Sequence, residues 1–294
     1  MKNQSILVTG SEGLIGKELS RKLEEEKINV VGYDIKLGQN ILDPESLEKI
    51  ICDINGVIHL AAISRVVAGY NDPYNAVKTN VIGTTNILDL IRRKNPSCWM
   101  IFGSSREIYG QTNSVVKESD PPKPVNVYGA SKSAAEYLSL CYGKNYNLRT
   151  FIVRFSNVYG GLNDHPDRVI PRFLNQALTN SDITIYGGEQ IFDFVHVSDA
   201  VEGVIKLIEK IINNEILESK AFHFLTGKSL SLVELSEKII KLSDSKSRIK
   251  YLAKREFDVD TFVGDPSATM KILGWHPKIS IDEGLKYYLQ LIKG

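Results

Sequence analysis

Cysteine is scarce in this 294-residue chain: Cys52, Cys98 and Cys141 stand far apart and form no Cys-x-x-Cys pair. That excludes a disulfide framework and a structural zinc site of the usual spacing, and it fits a reducing compartment. An excess of charge of one sign is lacking too. The 36 basic and 35 acidic side chains leave a formal charge of +1. The basic residues gather into no stripe, so the electrostatic footprint of a nucleic-acid binder is absent. Net charge says little about a small anion, which two or three well-placed donors can hold. No apolar run approaches the ~20 residues that cross a bilayer. The run after Met1-Lys2-Asn3-Gln4 is too short for the core of a signal peptide. His59, His165, His196, His223 and His276 are dispersed without ligand spacing, so no metal is expected. The expectation is a soluble cytoplasmic protein with neither a nucleic acid nor a membrane as partner.

What the chain does have is alternation. Apolar runs of strand length alternate with longer stretches of helical period, the pattern of βαβ units in a parallel sheet. Strands are expected at Ser5–Thr9, Asn29–Tyr33, Gly56–Leu60, Trp99–Phe102 and Arg149–Phe155, with helices at Leu14–Glu26, Tyr74–Arg93 and Ala130–Tyr146. Beyond Gly160 proline and aromatics (Pro166, Pro171, Tyr186, Phe192, Phe194) mark shorter elements. A strand-like Ala221–Leu225, a helix at Leu232–Ser243 and a helix at Ile281–Ile292 follow. The expected class is α/β, a doubly wound parallel sheet with a smaller mixed α/β substrate-binding lobe. Residues 1–164 and 191–220 are assigned to the sheet domain, and 165–190 and 221–294 to the lobe.

Gly10, Gly13 and Gly16 form Gly-x-x-Gly-x-x-Gly between the first strand and the first helix. Glycine there allows a positive φ and lets the backbone approach a pyrophosphate, which the free N–H groups of the helix start then hold. Asp34 ends the second strand about twenty residues further on, where a carboxylate accepts from a ribose diol and repels a 2′-phosphate. NAD is therefore the expected cofactor rather than NADP, with Lys36 the one feature against it. A ligand-free glycine turn and a loop-capping aspartate are the plain alternatives.

Tyr128-Gly129-Ala130-Ser131-Lys132 is Tyr-x-x-x-Lys at the start of a helix. Residues at i and i+4 share a helix face, so the ammonium is expected beneath the phenol. A free tyrosine has a pKa of about 10. A nearby cation favours the phenolate, which can then take a hydroxyl proton while hydride leaves for a nicotinamide. Ser104 and Ser105 follow the strand at Trp99–Phe102 and face the ligand crevice of such a sheet.

With these residues in place the chain resembles the extended short-chain dehydrogenase/reductase family, specifically its NAD-dependent nucleotide-sugar epimerases and dehydratases on a Rossmann-type sheet. The resemblance runs through the glycine loop, Asp34, His59-Leu60-Ala61-Ala62, Asn80, Ser105, Tyr128 with Lys132, Arg154-x-x-Asn157-Val158-Tyr159-Gly160, Asp193-Phe194-x-His196-Val197-x-Asp199 and Leu273-Gly274-Trp275. It implies Ser105, Tyr128 and Lys132 as the catalytic set, with Glu107 as a further candidate. It implies a cofactor cleft built from Gly10, Gly13, Leu14, Ile15, Gly16, Asp34, Asn40, Ile41, Leu60, Ala61, Ala62, Ser104, Tyr128, Lys132 and Phe155, with Asn80 supporting a loop. On the substrate side it implies Ser64, Ser105, Asn157, Val169, Ile185, Tyr186 and Arg255, with Arg168 nearby. Tyr186 has a plain alternative as a packing aromatic. A homodimer through the helices bearing Asn80 and Lys132 is implied as well.

Four departures stand out. The stretch between Asp34 and Asp43 is short for the family. Asn40 stands where an aspartate accepts from the adenine amine. Phe192 replaces the arginine of Arg-Asp-[Phe/Tyr], leaving Arg255 as the cationic grip on the diphosphate. Ser64, beside Arg65, replaces a lysine or glutamine. The reaction follows from a fifth position. The family oxidises C4 of the sugar; dehydratases then use an Asp-Glu pair after the catalytic hydroxyl residue, whereas this chain reads Arg106-Glu107. Arginine stays charged and cannot act as the acid. Decarboxylases keep the glutamate and use a further arginine where Phe192 now stands. Epimerisation needs neither, so a nucleotide-sugar 4-epimerase of the UDP-hexose type is expected, with a 4,6-dehydratase or UDP-glucuronate decarboxylase as the alternative. Glu107 is either a base or a carboxylate paired with Arg106 or a sugar hydroxyl. A non-catalytic NAD or sugar-nucleotide sensor is the reading from another class.

Overall fold

The computed structural model describes residues 4–112 and 114–293; Met1–Asn3, which open the segment read as too short for a signal peptide, lie outside them. The strands are β1 (Ser5–Thr9), β2 (Asn29–Tyr33), β3 (Gly56–His59), β4 (Trp99–Ser105), β5 (Thr150–Phe155), β6 (Asn157–Tyr159), β7 (Ile183–Tyr186), β8 (Ile191–His196), β9 (Ala221–Phe224), β10 (Ser229–Ser231) and β11 (Ile249–Leu252). The helices are α1 (Leu14–Glu25), α2 (Pro44–Ile51), α3 (Val66–Asn71), α4 (Pro73–Val77), α5 (Gly83–Lys94), α6 (Val127–Tyr146), α7 (Val169–Leu178), α8 (Val197–Ile212), α9 (Leu232–Ser243), α10 (Ser267–Leu273) and α11 (Ile281–Lys293).

Six strands form one sheet in the order β2-β1-β3-β4-β5-β9, and every pairing in it is parallel. These strands are apolar without alternation because both faces are covered. Ile6, Val8, Ile58 and Val153 pack with α1 and α8 on one face. Leu7, Val57, Phe102 and Ile152 pack with α2, α5 and α6 on the other. The chain leaves β1 for β2 on one side and then crosses to β3 on the other. That reversal opens a crevice above the carboxyl ends of β1 and β3, the place where such sheets hold ligands.

A third core, with Phe173, Ile183, Ile185, Leu235 and Leu289, belongs to the lobe, together with the pairs β10-β8-β6 and β11-β7. The domain boundaries expected from sequence are crossed twice: β6 and β8, within the residues assigned to the sheet domain, pair with β10 in a separate sheet. β9, assigned to the lobe, is the sixth strand of the main sheet, and Leu273 and Trp275 beside α10 pack in the main core. A strand of four residues that begins after a long helix carries no local sign of which sheet it joins.

Local chemistry explains where the helices break. The helix expected over Tyr74–Arg93 divides into α4, a π turn at Lys78–Ile82 and α5. Asp72 caps the Asn75 N–H at 3.0 Å, and Pro73 sits at the first helical position. α2 has the same start, Asp43 capping Ser46 at 3.2 Å before Pro44. Among the described residues no helix is long and apolar enough to cross a membrane.

One buried pair fixes α6 on the sheet. Arg154 of β5 reaches Glu136 of α6, Nη2 to Oε2 at 2.8 Å, and its Nη1 donates to the Tyr109 hydroxyl at 2.6 Å and the Glu118 carbonyl at 2.7 Å. Breaking one side of such a pair strands the other charge. Arg154→Met is therefore expected to lower unfolding stability by about 3–5 kcal/mol, and Arg154→Met with Glu136→Leu to recover much of it. Urea unfolding of both variants checks this; equal losses in the two would refute the pairing account.

Candidate active site

A cleft of about 340 Å³ runs between the sheet and the lobe. Gly10, Gly13, Leu14, Ile15 and Gly16 form one end of its wall, with Leu60, Ala62 and Phe155. Gly10 has a φ of +74°, and a Cβ on Gly16 would stand 2.1 Å from the Gly10 carbonyl oxygen, so both positions require glycine. α1 starts at Leu14 with Gly13 as its N-cap and no side chain on its first N–H groups. Those donors are open to an anion. The Asp34 carboxylate accepts from the Glu12 N–H at 3.0 Å and the Lys36 N–H at 2.9 Å, which braces the loop and leaves lone pairs over. Lys36 Nζ is tied back to the Glu12 carbonyl at 3.1 Å. This cradle fits a dinucleotide.

Ser104, Ser105, Tyr128 and Lys132 line the middle of the cleft, together with Arg106 and Glu107. Ser104 Oγ is buried without a hydrogen-bond partner. Asn126 caps α6 by accepting from the Gly129 N–H at 2.8 Å, which sets Tyr128 on the first turn. One turn on, Lys132 donates from Nζ to the Gly103 carbonyl at 2.7 Å. Burial pushes the Tyr128 phenol up to about 12, with hydrogen bonding to Ser105 pulling the other way. The expected lowering counted Lys132 together with a bound nicotinamide; the protein's own groups give the opposite direction, because burial is the largest influence. Burial also drives Lys132 down to about 7, against the pull of the Glu136 carboxylate, so desolvation governs both groups.

Glu107 is buried, and each of its carboxylate oxygens has a partner. Its Oε1 pairs with Arg106 Nη2 at 2.9 Å, and its Oε2 accepts from Asn126 Nδ2 at 2.9 Å. The Arg106 guanidinium lies 4.3 Å from the ring centroid of Phe192, so two departures that are far apart in sequence touch in the fold.

At the lobe end, Ser64, Asn157, Arg168, Val169, Tyr186 and Arg255 line the cleft. Asn157 donates to the Asp193 carbonyl at 3.1 Å. Arg255 pairs with Asp258 at 2.6 Å and stacks on Tyr186 at 4.7 Å. Arg65 pairs with Asp167. Arg172, missed in the sequence, also lines the cleft. Its Nε is buried without a partner, and burial, with the like charge of Arg255 behind it, holds its pKa below the usual arginine range. Arg255 is thus not the lone cation there. Arg172 follows Val169 at i+3 on an amphipathic helix, the one signal that could have found it.

Six expected site residues are not on the wall of this cleft: Asp34, described above, and five more. Ile185 is fully buried in the lobe core; strand alternation turns Tyr186 to the cleft and Ile185 away. Asn80 stands off the wall, gripping both backbone groups of Ile63 at 2.8 and 3.1 Å and the Ser131 hydroxyl at 2.8 Å. Ala61 backs Gly10 and donates to Thr9 Oγ1 at 3.2 Å. Ile41 packs in the core against Gly83. Asn40 spends its carboxamide oxygen on the Leu42 N–H at 2.9 Å. Among the described residues no group of acidic, histidine or cysteine side chains could hold a metal ion; His59 bridges Thr9 and Thr84 at 2.7 and 3.0 Å, and burial holds it neutral with a pKa of about 3.

Residues 6–218 match the model of the NAD dependent epimerase/dehydratase family. The chain is 31% identical over 316 residues to a UDP-glucuronate 4-epimerase of Thermodesulfobacterium geofontis, covering 95% of this chain and 93% of that one. It is 30% identical over 306 residues to UDP-glucuronic acid decarboxylase 6 of Arabidopsis thaliana, covering 96% and 87%. A UDP-glucose 4-epimerase of Thermotoga maritima, solved with UDP-glucose, has the same fold at a TM-score of 0.90 and 27% identity, over 98% of each chain.

Gly16→Ala is expected to weaken NAD binding by about tenfold or more, or ~1.4 kcal/mol upwards, because the Gly10 carbonyl has to move. Titration by protein fluorescence measures this, and unchanged affinity would mean that the loop does not carry the pyrophosphate.

Proposed function

The chain belongs to the NAD-dependent epimerase/dehydratase family and is an NAD-dependent enzyme, and from that premise we propose that it is a nucleotide-sugar 4-epimerase. The glycine loop and Asp34 hold the dinucleotide, with Leu60, Ala62, Ser104, Lys132 and Phe155 along its path. Bound NAD supplies a hydride acceptor that can give the hydride back, and a positive ring that favours the phenolate. Tyr128 takes the proton from the sugar's C4 hydroxyl, and Ser105 holds that oxygen by a hydrogen bond. The same tyrosine returns the proton once the 4-keto sugar has turned over. Lys132 orients the site from beneath through the Gly103 carbonyl. Arg255 and Arg172 meet the diphosphate with Asn157, and Val169 and Tyr186 pack the nucleoside.

The observation that carries the choice of reaction is the binding of Glu107. Its oxygens are held by structural partners, one by a buried guanidinium and one by Asn126, which supports a positioning carboxylate rather than a base. A dehydratase or decarboxylase of this family would ask that carboxylate to act on C5 or its substituent, and an epimerase asks nothing of it. Supplied with UDP-sugars, the protein is expected to form the C4 epimer, read by NMR of the product. Tyr128→Phe should lose about 10²–10⁴-fold in kcat while NAD stays bound, and Glu107→Gln should stay within about tenfold of the parent rate. A collapse of Glu107→Gln together with a 4-keto-6-deoxy or pentose product would overturn the epimerase reading; a sensor would show no hydride transfer at all.

Tyr74, Val77 and Ile82 on the α4–α5 segment and Tyr137 and Tyr146 on α6 are large and exposed, which supports a homodimer through these helices. Light scattering should give the mass of two chains, and Val77→Asp with Tyr137→Asp the mass of one; a monomeric parent would refute it. Cys52, Cys98 and Cys141 are free thiols, which supports a cytoplasmic site of action.

A further inference from the structure

Arg106 is 7% exposed, and its Nη1 has no hydrogen-bond partner among the described residues. Its other terminal nitrogen is on Glu107, and its flat face lies against Phe192, with Phe262 at 5.6 Å. Buried guanidinium donors are rarely left without an acceptor. Arg106 is among the residues that line the cleft, so the missing acceptor can come from what the cleft holds. The position restricts which part of the substrate that is. Ser105 and Tyr128 mark the oxygen that is oxidised, and Arg106 is the next residue after Ser105. The diphosphate end is served separately by Arg172 and Arg255, which share Tyr186.

Resting on the epimerase reading, we propose that Arg106 is the specificity residue of the sugar end and that the substrate is a nucleotide-linked hexuronic acid, its C6 carboxylate accepting from Nη1. C4 has two ring neighbours, C3 and C5, and of the substituents they carry a C6 carboxylate on C5 is the one that brings a negative charge to the guanidinium. A neutral hydroxymethyl group brings no charge to a buried cation, whereas a carboxylate brings a charge and two acceptors. Glu107 keeps the guanidinium in place from the opposite edge, and the guanidinium separates the two carboxylates. The exchange with position 192 agrees with this. A phenyl ring there gives the planar cation a face to stack on, where a second cation would repel it.

The pairing also bears on the outcome after oxidation. A 4-keto uronate loses carbon dioxide by breaking the C5–C6 bond, the electron pair moving onto the C4 oxygen while the carboxylate charge vanishes from C6. A guanidinium held on that carboxylate stabilises the charged starting form and opposes the loss. The 4-keto sugar is then left to take its hydride and proton back at C4.

The NAD-loaded protein, and its Tyr128→Phe form as a non-reacting receptor, are titrated with UDP-glucuronate and UDP-glucose. The uronate is expected to bind about tenfold or more tightly, and Arg106→Gln to erase that preference while Arg106→Lys keeps part of it. The ratio of kcat/KM for the two sugars should follow the same pattern. Equal affinity for the two sugars in the parent, or a preference that survives Arg106→Gln, would overturn the proposal. Binding of the uronate through Arg106 without C4 epimerisation would instead overturn the proposed reaction and leave the carboxylate assignment standing.

Discussion

The site rests on a contact between an ammonium and a carbonyl. Lys132 lies buried with Nζ on the Gly103 carbonyl at the carboxyl end of β4. That contact brings the first turn of α6 to the strand end that carries Ser105. Burying an amine costs free energy, and its pKa near 7 expresses the cost. The cost is tolerable because α6 is held independently. Glu136, one turn beyond Lys132, is clamped by Arg154, and Asn126 at the helix start is bonded to Glu107. The Tyr128 phenol thus sits between two anchors, neither of which asks anything of its hydroxyl.

The protein alone therefore keeps its tyrosine protonated. With the phenol pushed up to about 12 by burial, no strong base stands in the cleft until other charges arrive. The positive dinucleotide is such a charge, and it is also the hydride acceptor. Proton abstraction is thereby linked to the presence of the partner that makes it useful. A cleft whose basicity depended on Lys132 alone would have no such coupling.

Much of this was legible in the sequence, because the decisive features are local. The order of strands and helices, the glycine loop, Asp34 and the Tyr-x-x-x-Lys turn each depend on residues within one or two turns of each other. What was not legible depends on distance or on a single alternation. Ile185 and Tyr186 are neighbours, and only the register of β7 decides which of them faces the cleft. β9 joins the main sheet through pairing with β5, a partner some seventy residues upstream. Asn80 holds the loop at Ile63 from behind the wall, a support whose partner the sequence does not name. Asn126 was missed because a capping residue looks ordinary until its side chain is seen to reach Glu107.

Arg106 and Phe192 show most plainly what three dimensions add. Read singly, each is a loss: an acid turned into a base that never gives up its proton, and a cation turned into a hydrocarbon ring. In the fold the ring lies against the guanidinium at 4.3 Å, and the pair becomes one exchange that moves the positive charge from β8 to the turn after Ser105. That displacement changes which atom of a substrate the charge can meet. At position 192 it would stand on β8; at 106 it stands on the turn that follows Ser105. The family's framework is kept, and its charge is placed where, on the reading proposed above, it selects the substituent beside C4.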